Sequence, residues 1–428
     1  MEQKKVSLFN LAVIVGALGY FVDVYDLLLF SIIRIPSLKG LGLTDAEVKV
    51  KGTDILSIQM YGLLIGGILW GVLGDKLGRL RVLFASIILY SLGSIANGFV
   101  HTVSQYELAR FVTGLGLAGE LGAGITLVSE LMPKERRGIA TSWVAGIGLS
   151  GAVFAYFIKV WCVSGSGEGW RTCYYIGGGL GILLLLLRVG VLESGMYKNM
   201  AGTTVSRGNF FMLFTNGLRF KKYLTAILIA LPNWYVIGVL ISFSNDFAAD
   251  MKVKGAIDPG KAIMVAYAAI SVGDVLIGFI SQGLKSRKKS LLLFHIITAI
   301  GVIAFFNLQG ATSANLYWVC VLLGFGTGFW AMFVTMAAEQ FGTNIRATVA
   351  TTVPNMARGS LAVVVAPLFK TLVPSLGHFE AGWVTGLIVF AIAFVALAIT
   401  PETFGKDLNY IEPGSELVES DEALGGAK

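Results

Sequence analysis

The sequence has few charged residues for its length. Only 14% of its 428 residues are Asp, Glu, Lys or Arg, and 55% are hydrophobic, whereas an ordinary soluble domain is about 25% charged. This shortage excludes a water-soluble globular fold. The mean hydropathy of +0.75 and the 54 glycines instead indicate helices that pack closely together in a lipid bilayer.

Cysteine and histidine are also scarce. Three cysteines exclude a disulfide framework, and the three histidines have no metal-ligand spacing. Cys162 and Cys173 flank one connection and could pair, although inert small apolar residues are the interpretation that we favour. No Ser/His, Cys/His or metal-ligand cluster indicates an enzyme, so we expect no cofactor and no metal.

Long apolar runs are what the sequence has in abundance. A helix needs roughly 20 apolar residues to span a bilayer, and the runs here are that long, whereas barrel strands alternate in segments of about ten. We therefore predict twelve spans, bounded by charged or turn residues, at about 8–33, 54–74, 80–100, 104–131, 138–160, 171–192, 220–246, 262–284, 289–309, 315–339, 348–372 and 380–400. The first run is too long for a cleavable signal peptide.

Lysine and arginine are concentrated in one set of connections. These are the N-terminus, the turn at 71–81, and the stretches 134–137, 198–222 and 285–289. Because positive charge favours the cytoplasmic side, we predict a plasma (inner) membrane protein with both termini in the cytoplasm. This topological signal explains the net charge of +7, and no nucleic-acid partner is expected.

The chain divides into two similar halves. We predict a six-helix bundle at 1–192, a cytoplasmic linker at 193–219, a second bundle at 220–405 and a tail at 406–428. Glu130 precedes Arg137 by the same spacing as Glu339 precedes Arg346. Weak internal symmetry of this kind is typical of transporters that bind their substrate between two repeats. The predicted fold class is an all-α membrane protein with twelve transmembrane helices in two pseudo-symmetric six-helix bundles.

Two motifs in the first half point to a known superfamily. Gly71-x-x-x-Asp75-x-x-Gly78-Arg79-x-Arg81 resembles the loop 2–3 signature of the major facilitator superfamily. The segment 110–119, which begins with Arg110, resembles its fourth-helix signature. The resemblance implies two bundles that rock around a central cavity.

Two further segments resemble particular branches of that superfamily. Asp23-Val24-Tyr25-Asp26 is similar to the first helix of the aromatic-acid/proton and phosphate/proton symporters. The segment 401–405 is similar to the ending of sugar porters. Sugar porters, however, have paired glutamines in the seventh helix. The corresponding segment of this chain, 231–236, contains no glutamine, which makes a sugar substrate less favoured.

Acidic residues inside the predicted spans are candidates for proton coupling. An ionisable group near the bilayer centre costs about 2.5–3.5 kcal/mol and usually faces a cavity or a partner. Asp23 and Asp26 share one helical face, and Glu120 lies mid-helix between glycines. We predict that these three carboxylates couple transport to protons. The alternative is that they form fixed ion pairs, for example with Arg110 or Arg34.

Arg358 is the only mid-span cation that we identify in the second half. Its guanidinium fork suits a carboxylate or a phosphate, so we predict an anionic substrate, the alternative being an internal ion pair with Asp274. For the aromatic candidates the alternative is simple packing. The other predicted substrate-binding residues are Asn355, Asn233, Trp234, Tyr235, Trp330, Asp274 and Arg110.

Charged residues at the cytoplasmic ends of the spans are candidates for a gate. The resemblance implies that an acid here meets the positive N-terminal end of the eleventh helix and holds the inner gate shut. The predicted gating residues are Asp75, Arg79, Glu130, Arg137, Glu339 and Arg346. Their alternative role is to set topology alone.

These observations predict a secondary active transporter. We favour proton-coupled symport of a small anionic metabolite, an organic carboxylate, by alternating access. The alternatives are a phosphate/proton symporter, a carrier of a neutral sugar-like solute or an organic cation, and, from a different class, a transporter-like sensor. The expected partners are the substrate, protons and the lipid bilayer, and we expect a monomer.

Overall fold

A computed structural model of the protein describes residues 11–77, 79–120, 134–163, 167–193 and 210–406. The helices that cross the molecule are numbered α1 to α12. Those of the first half are α1 (Leu11–Gly40), α2 (Asp45–Leu77), α3 (Arg79–Asn97), α4 (Val103–Leu117), α5 (Lys134–Val163) and α6 (Gly169–Glu193).

The helices of the second half are less regular. Three consist of successive segments: α7 (Gly217–Ile229, Leu231–Tyr235 and the π-helical Val236–Ile241), α10 (Ser313–Thr327 and Trp330–Glu339) and α11 (Thr343–Ser360, the π-helical Leu361–Val365 and Ala366–Leu376). The others are α8 (Pro259–Leu284), α9 (Arg287–Phe306) and α12 (His378–Ile399). Interruptions of this kind are frequent at functional sites.

The packing of the helices follows the two halves of the chain. In the first half α1 packs on α5 and α6, and α2 packs on α4. In the second half α8 packs on α10, as α2 does on α4. The main contacts between the halves are α2 with α11 and α5 with α8. Helix α8 is the counterpart of α2 in the second half, and α11 is the counterpart of α5. The two contacts between the halves are therefore equivalent, and the interface has pseudo-two-fold symmetry.

Glycine permits the close approach of equivalent helix pairs in the two halves. A Cβ atom placed on Gly62 of α2 would lie 2.3 Å from the Phe111 carbonyl oxygen of α4. A Cβ atom on Gly324 of α10 would lie 2.2 Å from the Ala266 carbonyl oxygen of α8. Any larger residue would push these backbones apart, which is the packing mode that small residues allow in membranes.

Candidate functional site

An ion pair joins the two bundles at the centre of the molecule. Arg358 Nη2 of α11 lies 3.0 Å from Asp23 Oδ2 of α1. The two residues are 1% and 0% exposed. Two charges taken this far from water are stable only while they are paired. The pair therefore holds the bundles together in this conformation, and separating it requires a replacement partner for each charge.

Arg358 has hydrogen-bond donors without a partner among the described residues, and it lies beside a pair of tryptophans. Its Nε and Nη1 atoms make no hydrogen bond within the described residues, and its Cζ lies 5.9 Å from the Trp330 ring centre. The Trp330 ring meets that of Trp234 edge to face at 6.2 Å. A guanidinium with free donors next to aromatic faces can bind an anion that also has a flat apolar part.

The neighbouring predicted residues divide into two groups. Asn355 Nδ2 donates to the Ala118 carbonyl at 2.7 Å, across the bundle interface, while its Oδ1 has no partner among the described residues. Asn233 is buried and directly precedes Trp234 in the sequence. Tyr235, in contrast, donates its hydroxyl to the Gly382 carbonyl of α12 at 2.8 Å. The structure therefore places Tyr235 in contacts within the second bundle.

Asp274 caps a helix and is not the carboxylate that pairs with Arg358. Its Oδ1 accepts the Ala331 backbone N–H at 2.9 Å, in the first turn of the second α10 segment. A carboxylate at a helix N-terminus satisfies an otherwise free donor and complements the helix dipole. This contact stabilises the restart of α10 directly after its interruption, next to Trp330.

Asp26 lies inside the first bundle although it shares a helical face with Asp23. Its Oδ1 accepts the Ser94 hydroxyl of α3 at 2.7 Å. Arg110 Nη2 donates to the backbone carbonyl of Asp26 at 3.0 Å, and the Arg110 guanidinium lies 5.6 Å from the Tyr174 ring centre. Asp26 and Arg110 therefore meet helices of their own bundle.

Glu120 forms a second buried ion pair, with Arg188 of α6. Arg188 Nη1 donates to Glu120 Oε2 at 3.1 Å, and Nη2 donates to Oε1. A Cβ atom on Gly19 of α1 would clash with both side chains, so α1 packs directly against the pair. Arg188 is absent from the sequence-based candidates. The available signal was a charge at the end of the leucine run 183–187.

The sequence matches the Major Facilitator Superfamily profile over residues 11–367. The chain belongs to that family. The niacin transporter NiaP of Acinetobacter baylyi (strain ATCC 33305 / BD413 / ADP1) is 28% identical over 448 residues, covering 94% of this chain and 96% of its own length. The cis,cis-muconate transport protein of the same strain is 25% identical over 418 residues, covering 94% and 95%.

A solved structure shows the same fold. The proton:xylose symporter XylE, bound to 6-bromo-6-deoxy-D-glucose, matches with a TM-score of 0.68 at 17% identity, over 97% of this chain and 98% of its own. The predicted all-α fold class and superfamily are thus confirmed. This facilitator is a multi-pass membrane transporter and not an enzyme.

Three basic side chains among the described residues join the facilitator's bundles at the end that the charge bias predicts to be external. Lys159 of α5 pairs with Asp258 at 2.6 Å, and Lys370 of α11 pairs with Asp54 of α2 at 2.7 Å. The third contact is between Arg34 Nη2 and the Asn245 side-chain oxygen, at 3.1 Å. Together they hold the two bundles in contact at this end.

Of the predicted gating residues, Glu339 and Arg346 lie at the opposite end. Glu130 and the side chains of Asp75, Arg79 and Arg137 lie outside the described residues. Glu339 binds Arg287 Nη2 at 3.4 Å and the Thr403 hydroxyl at 2.6 Å. Arg346 donates to the Phe341 carbonyl through Nε and Nη2, at 3.2 and 3.0 Å. Glu339 therefore connects the end of α10 to the start of α9 and the segment after α12.

Glu402, in the segment after α12, caps α9. Its carboxylate accepts the backbone N–H groups of Arg287 at 2.9 Å and Lys288 at 3.3 Å, and the Ser286 hydroxyl. Partial burial raises the pKa of this carboxyl group, but the hydrogen bonds from Ser286 and from backbone N–H groups outweigh it and lower the pKa to about 2. The 401–405 segment thus fastens α12 to α9.

Proposed function

We propose that this facilitator is a proton-coupled symporter that imports a small organic carboxylate by alternating access. The observation that supports this most strongly is the buried Asp23–Arg358 pair between the bundles, with donors of Arg358 left over beside two tryptophans. In this mechanism the substrate carboxylate takes the place of Asp23 on the guanidinium. A proton on Asp23 neutralises the acid that is released.

The charge at the centre explains why proton and substrate travel together. The empty site is neutral, because Asp23 and Arg358 cancel. A carboxylate bound alone would leave one excess negative charge in the interior, and a proton bound alone would leave one excess positive charge. Both states are costly in a low-dielectric site. Only the empty and the doubly loaded forms can rock between the two sides, so one proton accompanies each monovalent carboxylate.

The partners of the three predicted coupling acids favour Asp23 as the proton carrier. Asp26 is engaged by Ser94, and Glu120 by Arg188, within the first bundle. Both contacts lie within one bundle, so they do not change when the two bundles move relative to each other. Asp23 is the member whose partner lies on the opposite bundle, so its environment changes whenever the bundles move relative to each other.

The surroundings of Arg358 favour a carboxylate with a planar skeleton. Phosphate would leave the faces of Trp234 and Trp330 unused, and a neutral sugar would leave the guanidinium charge uncompensated once Asp23 is released. The named substrates of the two relatives, niacin and cis,cis-muconate, are small carboxylic acids with conjugated skeletons. They are the first compounds to test.

Uptake by the full chain in proteoliposomes tests the proposal. The panel is labelled nicotinate, cis,cis-muconate, phosphate, xylose and tetraethylammonium, each with and without an inward proton gradient. We expect one of the carboxylates to accumulate, by about tenfold for the monovalent nicotinate at a gradient of one pH unit, and a protonophore to abolish the accumulation. Asp45→Asn, at an exposed position, is the control and should behave like the unmodified chain. Gradient-independent uptake, or uptake of only the sugar or the cation, would refute the proposal.

A further inference from the structure

A buried histidine contacts α7 and α10, the two interrupted helices that carry the tryptophan pair. His295 of α9 is 0% exposed. Its Nε2 lies 2.9 Å from the Ile229 carbonyl oxygen of α7, and its Nδ1 lies 2.8 Å from the Leu291 carbonyl oxygen. Its ring stacks on Phe329 at 4.8 Å and 29°. A carbonyl only accepts, so each contact is a hydrogen bond when the facing nitrogen carries its proton.

The Ile229 carbonyl needs a donor because α7 is interrupted there. Pro232 stands in the first turn of the next segment and has no N–H to donate. The Asn233 N–H, which would bond to Ile229 in a continuous helix, instead donates to Ala230 at 3.1 Å. A buried carbonyl without a partner is costly, and His295 provides the missing donor in the tautomer that carries its proton on Nε2.

Phe329 marks the second interruption. It lies between the two segments of α10, immediately before Trp330. In α7, Trp234 follows just after Pro232. The His295 ring thus contacts both α7 and α10 at their interruptions. The segment that follows each interruption carries one member of the Trp234–Trp330 pair.

We propose that His295 is a positioning residue that sets the relative placement of Trp234 and Trp330, and through them the affinity of the site for a planar carboxylate. This inference rests on the proposed function for its substrate, but the positioning itself can be measured without any substrate. A carboxylate that contacts both indoles loses part of this contact when α7 and α10 shift relative to each other. The Asp23–Arg358 pair is not affected by that shift.

The test compares His295→Leu with His295→Gln in the full chain. Leucine fills the space but cannot donate, whereas the glutamine amide N–H can bond to the Ile229 carbonyl. Ser290→Ala is the matched control, because Ser290 is also buried on α9 but donates to the carbonyl of Ser286, the N-cap of the same helix, at 2.9 Å. The readouts are hydrogen exchange of peptides that contain 229–236 and 327–332, and KM and kcat for nicotinate uptake.

We expect His295→Leu to exchange faster in both peptides and to raise KM roughly fivefold to tenfold with little change in kcat. His295→Gln should have a KM close to that of the unmodified chain, and Ser290→Ala should match the unmodified chain. If His295→Leu does not fold, Phe329→Leu, which removes only the stacked ring, should raise KM in the same direction. Unchanged exchange or an unchanged KM in a folded variant would overturn the inference. If the unmodified chain transports no carboxylate, it is the proposed function that fails, and the exchange result alone decides the role of His295.

Discussion

The buried acids Glu120 and Asp26 find partners inside the first bundle, whereas Asp23 of that bundle and Arg358 of the second bundle find each other across the interface. Glu120 pairs with Arg188, and Asp26 accepts a hydrogen bond from Ser94. Arg358 pairs with Asp23. The two bundles thus share a fold and a pseudo-symmetric interface but distribute their electrostatic contacts differently.

The helices of the two bundles also differ, in how often they are interrupted. The described parts of α1, α2, α3, α5 and α6 are each a single continuous helix, whereas α4 is followed by a turn at 118–119. In the second bundle α7, α10 and α11 are interrupted close to the site, and the π segments of α7 and α11 meet where Gly238 packs against Leu361. We infer that the first bundle is a rigid body that carries the proton site, and that the second bundle adapts around the substrate.

Removal of Arg358 should have the largest effect on binding. Arg358→Ala leaves Asp23 buried without its partner and removes the anion-binding fork, so we expect affinity for a labelled carboxylate to fall at least about 100-fold. Arg358→Lys keeps the charge but not the fork and should lie in between. Equilibrium binding to purified protein measures both. Binding within about threefold of the unmodified chain would show that the second bundle does not hold the anion through Arg358.

The matched change in the first bundle should act on stability instead. Arg188→Gln leaves the Glu120 carboxylate buried and unpaired, which costs about 3–5 kcal/mol. We expect a lower apparent Tm but nearly unchanged affinity per folded molecule. Arg188→Gln combined with Glu120→Gln should recover part of the Tm, because no uncompensated charge remains. A loss of affinity as large as that of Arg358→Ala would contradict the division of roles between the bundles.

Asp274 distinguishes a helix cap from a substrate ligand. Asp274→Asn keeps an oxygen that can accept the Ala331 N–H, whereas Asp274→Ala removes it. If the cap is its role, alanine should cost about 1 kcal/mol of stability, and asparagine should change neither the Tm nor carboxylate uptake appreciably. Thermal unfolding and uptake measure the two effects. Uptake that is lost in a stable Asp274→Asn variant would return Asp274 to the set of substrate ligands.

Glu402 should give the smallest effect, and one that depends on pH. Its folded-state pKa of about 2 lies below the ordinary 4.5, so its stabilising contribution is complete above pH 4.5 and is lost as the pH falls towards 2. The difference in Tm between the unmodified chain and Glu402→Gln should therefore be greatest near neutral pH and shrink below about pH 4. A difference that stays constant over this range would contradict the capping of α9 by an ionised Glu402.

The hydrophobic pattern predicted the number of helices better than their ends. A predicted span begins at 54, but α2 begins at Asp45. There the Glu47 carboxylate accepts the Thr44 N–H at 2.8 Å, and the Glu47 N–H donates back to the Thr44 hydroxyl at 3.4 Å, which is a capping box. Apolar runs mark the part of a helix in lipid, whereas caps mark where the helix starts.

The sequence identified buried charges but not their partners. Asp23, Glu120 and Arg358 stood out because charge is rare in the spans. Their pairing depends on how distant helices pack: Arg188 is 68 positions from Glu120, and Arg358 is 335 positions from Asp23. Arg188 lies near the end of α6, where a long basic side chain can also reach the membrane surface. The domain boundaries and the roles of Asp75, Arg79, Glu130 and Arg137 stay predictions.

The most direct test of the account is the transport activity of Asp23→Asn. Asparagine resembles a permanently protonated aspartate, so this variant should bind a carboxylate at Arg358 and exchange it across the membrane. It should not accumulate the carboxylate against a gradient. The measurement compares counterflow with proton-driven uptake of labelled nicotinate or cis,cis-muconate in proteoliposomes. We predict exchange without accumulation. Accumulation equal to that of the unmodified chain would contradict the assignment of the coupling proton to Asp23.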